Sequence, residues 1–248
     1  MEKYIEQIKD GLAMINGRKK ESTLPVKMIF MAAVLQSIAC WIIAHFFTYF
    51  FAEEITVADT TITSHISIGV ALVSTLAILA FNVWADRGKT IGSLSWFGDF
   101  AGKWQNEYYE PTNISQHYNI IFFNGLTLCK ILCMTALISS GQTFWLIYAF
   151  VLAYSSFLAG SSKSGIIKNK PNSDIEIFTY CGIFVLVSCV FHRHLIPVLI
   201  ASATAYFLHK LAIGLSLKKI ETVNDEINRT LSEVVLCLTL VIGILLIR

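Results

Sequence analysis

The 248-residue chain is 55% hydrophobic and only 15% charged, with a mean hydropathy of +0.62. That excludes an ordinary soluble globular protein, in which about 25% of residues carry charge, and makes the lipid bilayer the partner to reason with. A net charge of +2 and the lack of a basic run interleaved with aromatics give no basis for nucleic acid as a partner.

Residues 1–27 read as a cytosolic amphipathic segment. Tyr4, Ile5, Ile8, Leu12 and Ile15 share one helical face, with Glu2, Lys3, Glu6, Lys9 and Asp10 elsewhere, the pattern of a helix lying on the inner membrane surface. A cleavable signal peptide is not expected, because the first apolar run begins near residue 28 and no small-residue cleavage site follows it.

From there the chain reads as a single all-α, multi-pass membrane domain, 28–248. About 20 apolar residues suffice for a crossing, and seven runs qualify: 28–52, 62–85, 117–139, 142–160, 174–191, 194–214 and 230–247. Basic residues mark the cytosolic side. Lys3, Lys9, Arg18, Lys19, Lys20 and Lys27 precede the first run, whereas the next connection holds Glu53, Glu54 and Asp59 and no base. The alternation continues with Arg87, Lys89 and Lys103 inside, Lys163, Lys168 and Lys170 inside, Arg193 alone outside, and Lys210, Lys218, Lys219 and Arg229 inside. It predicts a cytosolic N-terminus and an external C-terminus.

Two cytosolic connections are long. Residues 86–116 carry Trp96, Phe97, Phe100 and Trp104 among Asp99, Lys103 and Glu107, which suggests an interfacial helix; residues 210–229 are polar and bring Glu221, Asp225 and Glu226 up to the last span. A cytosol-facing site would be assembled from the second, third, sixth and seventh spans.

Ionisable groups within spans are costly and are functional candidates by default. Lys130 lies near the middle of the third span and needs a carboxylate, a carbonyl or a watery cleft, so it is read either as an anion-binding group or as half of a structural pair. Glu233 lies one turn into the last span, where the helix dipole favours an acid. Cys40, Cys129, Cys133, Cys181, Cys189 and Cys237 all fall within spans and read as reduced packing residues. His45, His65, His192 and His194 map toward outer span ends, where an interfacial histidine needs no metal.

The layout resembles that of the cobalamin-5′-phosphate synthase family. Shared features are the total length, the surface-lying N-terminal segment, the long cytosolic connection after the second span, and the polar connection into a final span. Local similarity is best at Leu126-Thr-Leu-Cys-Lys130-Ile-Leu and at Leu231-Ser-Glu233-Val-Val-Leu. The resemblance implies a cytosol-facing transferase of a bacterial inner membrane, in which clustered carboxylates hold Mg²⁺ against a diphosphate. Where that family has its aspartate-rich motif, this chain has Phe81-Asn-Val-Trp-Ala-Asp86-Arg-Gly-Lys-Thr-Ile-Gly92, with one carboxylate, and the later acidic motifs are reduced to Glu110-Pro111 and Asn224-Asp225. Asn82-Val-Trp-Ala-Asp86 also has the NxxxD spacing of membrane aromatic prenyltransferases, and Tyr154-Ser155 followed by Lys163 is loosely similar to another loop of theirs.

On these resemblances a transferase would use Asp86, Asp225 and Glu226 as catalytic residues, Asp86, Glu110 and Asp225 to hold Mg²⁺, and Asn82, Lys130 and Glu233 toward substrate, with Lys218 or Lys219 toward phosphate. A non-enzymatic membrane protein is the alternative, as a homo-oligomer or as a subunit beside a membrane-protein partner. A small-molecule transporter is a third, although the glycines and prolines mark no pair of broken helices.

Overall fold

A computed structural model describes residues 2–15, 24–51, 53–57, 60–86, 114–163, 173–192, 195–220 and 225–246. These residues form eight helices and one short strand pair.

Helix α1 (Glu2–Ile15) packs on α2 (Val26–Phe51). Gly11 permits the approach, since a Cβ there would lie 2.9 Å from that of Ala32. Its expected apolar face is split along its length. Tyr4 and Ile5 are exposed, whereas Met14 and Ile15 are buried in a cluster with Ile29, Ala33, Phe157 and Leu158, so the C-terminal half of α1 docks onto the bundle. Pro25 precedes α2, and its carbonyl accepts from Met28 N at 2.9 Å, opening the helix where a missing N–H costs nothing.

After α2 the chain forms an antiparallel pair, β1 (Glu53–Val57) and β2 (Thr60–His65), in the register Ile55 to Ile62 and Val57 to Thr60. This corrects the start of the second expected span. Thr60, Thr61, Ile62 and Thr63 are a β-branched run that favours a strand over a helix. Helix α3 (Ile68–Asp86) starts only after Ser67, whose Oγ accepts from Val70 N at 3.3 Å as an N-cap.

Helices α4 (Ile114–Ser139) and α5 (Trp145–Lys163) are joined by a tight turn. Gly141, at φ 74°, ends α4 in a Schellman motif: Gln142 N donates to Leu137 O at 2.8 Å and Gly141 N to Ile138 O at 3.1 Å. The left-handed residue has to be glycine or pay for its Cβ.

Then come α6 (Ser173–His192), α7 (Leu195–Ile220) and α8 (Asp225–Leu246). The polar connection expected over 210–229 is largely helix: α7 continues past Lys210 to Ile220 and α8 begins at Asp225, so 221–224 alone lies outside the described residues. Leu, Ala and Lys in 210–219 sustain the helix, and Asp225-Glu226 suits its positive N-terminus. The expected interfacial helix of 86–116, with its four aromatics, falls outside the described residues from 87 to 113.

Helix α5 is the axis of the bundle. From Trp145 to Ser161 every residue but Tyr154 is buried, packed by α2, α6, α7 and α8. The core around it draws Cys40 and Ala44 from α2, Met134 and Ile138 from α4, and Val235 and Leu240 from α8. Three helical stretches, Val26–Phe51, Leu195–Gly214 and Asn228–Leu246, are long and apolar enough to cross a membrane; Ile68–Asn82, Asn124–Ser139, Trp145–Ser161 and Ile175–Val187 are apolar but shorter.

Candidate functional site

Two of the ionisable candidates find each other. Lys130 Nζ on α4 donates to Glu233 Oε2 on α8 at 2.5 Å, with the two side chains 11% and 15% exposed. On the same two helices Cys129 and Cys133 Sγ lie 3.9 Å apart, and Cys237 Sγ donates to Leu126 O at 3.5 Å. The cation therefore has the carboxylate that its depth requires, and it pins α4 to α8.

Asn82 is held by a second junction. Its Oδ1 accepts from Tyr154 OH at 3.1 Å, and Cys40 Sγ lies 3.6 Å from the same oxygen, so α2, α3 and α5 meet at one amide. Asp86, the last residue of α3, follows one turn later. Because α3 and α4 are antiparallel neighbours and α4 turns back tightly into α5, α3 and α5 run in the same direction. The end of α3 thus heads toward the C-terminal turns of α5.

The third group was not singled out from sequence. Asn228, Arg229 and Thr230, in the second turn of α8, are all buried. Asn228 lies against Gly160 of α5, whose backbone leaves no room for a Cβ. Among the described residues neither side-chain atom of Asn228 has a hydrogen-bond partner, and the same holds for Ser156 Oγ on α5. The Arg229 guanidinium sits 4.9 Å from the centroid of the Phe157 ring, a cation–π contact away from water. The signal available in the sequence was a run of three hydrogen-bonding residues, Asn-Arg-Thr, at the head of an apolar helix.

Asp225 and Glu226 are the first two residues of that helix, one turn before Arg229, and Glu110 lies outside the described residues. Asp86, Asp225, Glu226 and Glu110 offer oxygen ligands alone, the donor type that Mg²⁺ takes. Among the described residues no three His, Cys, Asp or Glu side chains gather as a metal site. His45 stacks on Trp41, with ring centroids 5.1 Å apart. The chain matches no protein-family model, no curated protein and no solved structure.

Proposed function

We propose that the chain is a multi-pass membrane protein, spanning the bacterial inner membrane with α2 to α8, and that the ends of α3, α5 and α8 form a cytosol-facing site for a Mg²⁺-bound, diphosphate-bearing substrate of a transferase. The distribution of side chains supports the membrane part. Large apolar residues face outward on helix after helix, among them Leu35, Ile42, Leu72, Leu76, Leu132, Leu186, Leu199 and Phe207, while Gln36, Ser37, Ser74, Thr75, Ser155 and Ser156 are buried. Water would not tolerate so much exposed apolar surface, and lipid would.

The observation that carries the site is the buried Asn228–Arg229 pair. The Asn228 amide, with no hydrogen-bond partner among the described residues, is expensive inside a bundle in lipid, and such a group is retained where it meets a polar ligand. Asn228 and Arg229 stand one turn from Asp225 and Glu226, and the α3 end with Asp86 runs toward the same turns of α5. The resemblance in layout to the cobalamin-5′-phosphate synthase family supports the same class of substrate. Mg²⁺ would neutralise diphosphate oxygens, and Arg229 would add a planar donor fork to them.

The test is thermal stability of the detergent-solubilised protein, with Mg²⁺ and inorganic pyrophosphate varied separately. Stabilisation that requires both, reaching about 2.7 kcal/mol at a hundredfold excess over Kd, is expected for the wild type. It should be lost in the Asp86→Asn, Asp225→Asn double variant and weakened in Arg229→Gln. No shift under any condition would move the assignment to a non-enzymatic membrane subunit, which the Lys130–Glu233 pair favours by satisfying a buried cation without any substrate.

A further inference from the structure

Helix α2 is longer than the hydrocarbon of a bilayer is thick. Its 26 residues span about 39 Å, whereas the hydrocarbon of a bilayer is about 30 Å thick, so roughly the last six residues overshoot. The packing marks the same limit. Trp41 meets Phe144 just before the start of α5, at 6.0 Å between centroids, and Cys40 and Ala44 are the last buried positions on α2.

Beyond them stand aromatic rings. Phe46, Tyr49, Phe50 and Phe51 are all more than half exposed, Tyr49 at 75%, and they pack on one another along the helix, Phe46 on Phe50 at 4.6 Å and Phe47 on Phe51 at 6.2 Å. Two glutamates, Glu53 and Glu54, follow after Ala52. Apolar rings ending abruptly in carboxylates trace the boundary between acyl chains and water, and the apolar surface below them on α2, through Leu35 and Ile42, is continuous with them.

We propose that residues 46–51 form an aromatic collar seated at the glycerol and headgroup level of the outer leaflet, with phospholipid as the occupant of its exposed faces. Tyr49 turns its hydroxyl to the headgroups while its ring stays among the upper acyl carbons. The collar sets how deep α2 sits, and through α2 it sets the depth of α1 and α5, which pack on it. This inference rests on the membrane reading above.

Photocrosslinking separates the two. Phe50→p-benzoylphenylalanine and Leu76→p-benzoylphenylalanine proteins would each be reconstituted in nanodiscs of phosphatidylethanolamine and phosphatidylglycerol, irradiated, and their peptides read by mass spectrometry. Leu76 is an exposed position near the middle of α3. Phospholipid adducts are expected at both sites, on glycerol or upper acyl carbons from position 50 and on distal chain carbons from position 76. A protein–protein adduct, a distal-chain adduct or no adduct at position 50, with lipid still captured at 76, would overturn the collar and leave the membrane reading standing. Failure to capture lipid at position 76 would overturn both.

Discussion

Lys130 and Glu233 sit 103 residues apart in sequence and 2.5 Å apart in space. Removing one charge leaves the other stranded in an apolar interface, at a cost of about 3–5 kcal/mol, whereas replacing both by apolar groups of similar size is close to neutral. Glu233→Gln should therefore lower stability by that amount, and Lys130→Met combined with Glu233→Leu should restore most of it, as read by denaturant unfolding in detergent. Equal losses in the single and double variants would show that the pair contributes only through its packing. Both residues were legible as candidates from their depth in apolar runs. Their pairing was not, because no local pattern links two helices so distant in the chain. Asn228 and Arg229 were missed for a related reason: they fall at a predicted span edge, where polar residues are ordinary, and only the docking of α8 on Gly160 buries them.

Among the elements, α5 and α8 depend on two glycines. A Cβ at Gly160 would overlap the Asn228 side chain, and one at Gly243 would overlap the Trp145 indole, whose Nε1 donates to Thr239 O at 2.8 Å. Gly160→Ala and Gly243→Ala should each destabilise by about 1–3 kcal/mol through overpacking. Positions 228 and 243 on α8 are about 22 Å apart along the helix, so the two losses should add. Unfolding of the two single variants and the double variant checks this; a double loss well below the sum would mean that the helix pair shifts as a unit.

Apolar runs in the sequence located the helices well because each helix is apolar on most sides, whichever of protein or lipid it faces. The boundaries failed where a second preference competed. β-branched residues drew 60–65 into a strand, and the helix-forming 210–219 extended α7 into what read as a polar loop. The turn at Gly141 left its mark only as a Ser-Ser-Gly break, since its conformation is a backbone property.

For the molecule as a whole, a serine-bearing helix is wrapped by others whose outward faces are apolar. That inside-out order explains why the chain's composition pointed to a bilayer while its candidate site stayed indistinct. A lipid-exposed leucine and a core leucine look alike in sequence, and a buried serine looks like a loop residue. The charge pattern predicts the orientation: bases accumulate before α2 and over 210–229, and are absent from 53–62 and 139–142.

The proposed seven crossings from a cytosolic N-terminus would put the C-terminus outside, so the most direct measurement is a matched pair of C-terminal fusions in a bacterial host, one to alkaline phosphatase and one to green fluorescent protein. The account predicts an active phosphatase and a dark fluorescent protein. A bright fluorescent protein with inactive phosphatase would place the C-terminus in the cytosol and contradict the seven-span arrangement on which the proposed site depends.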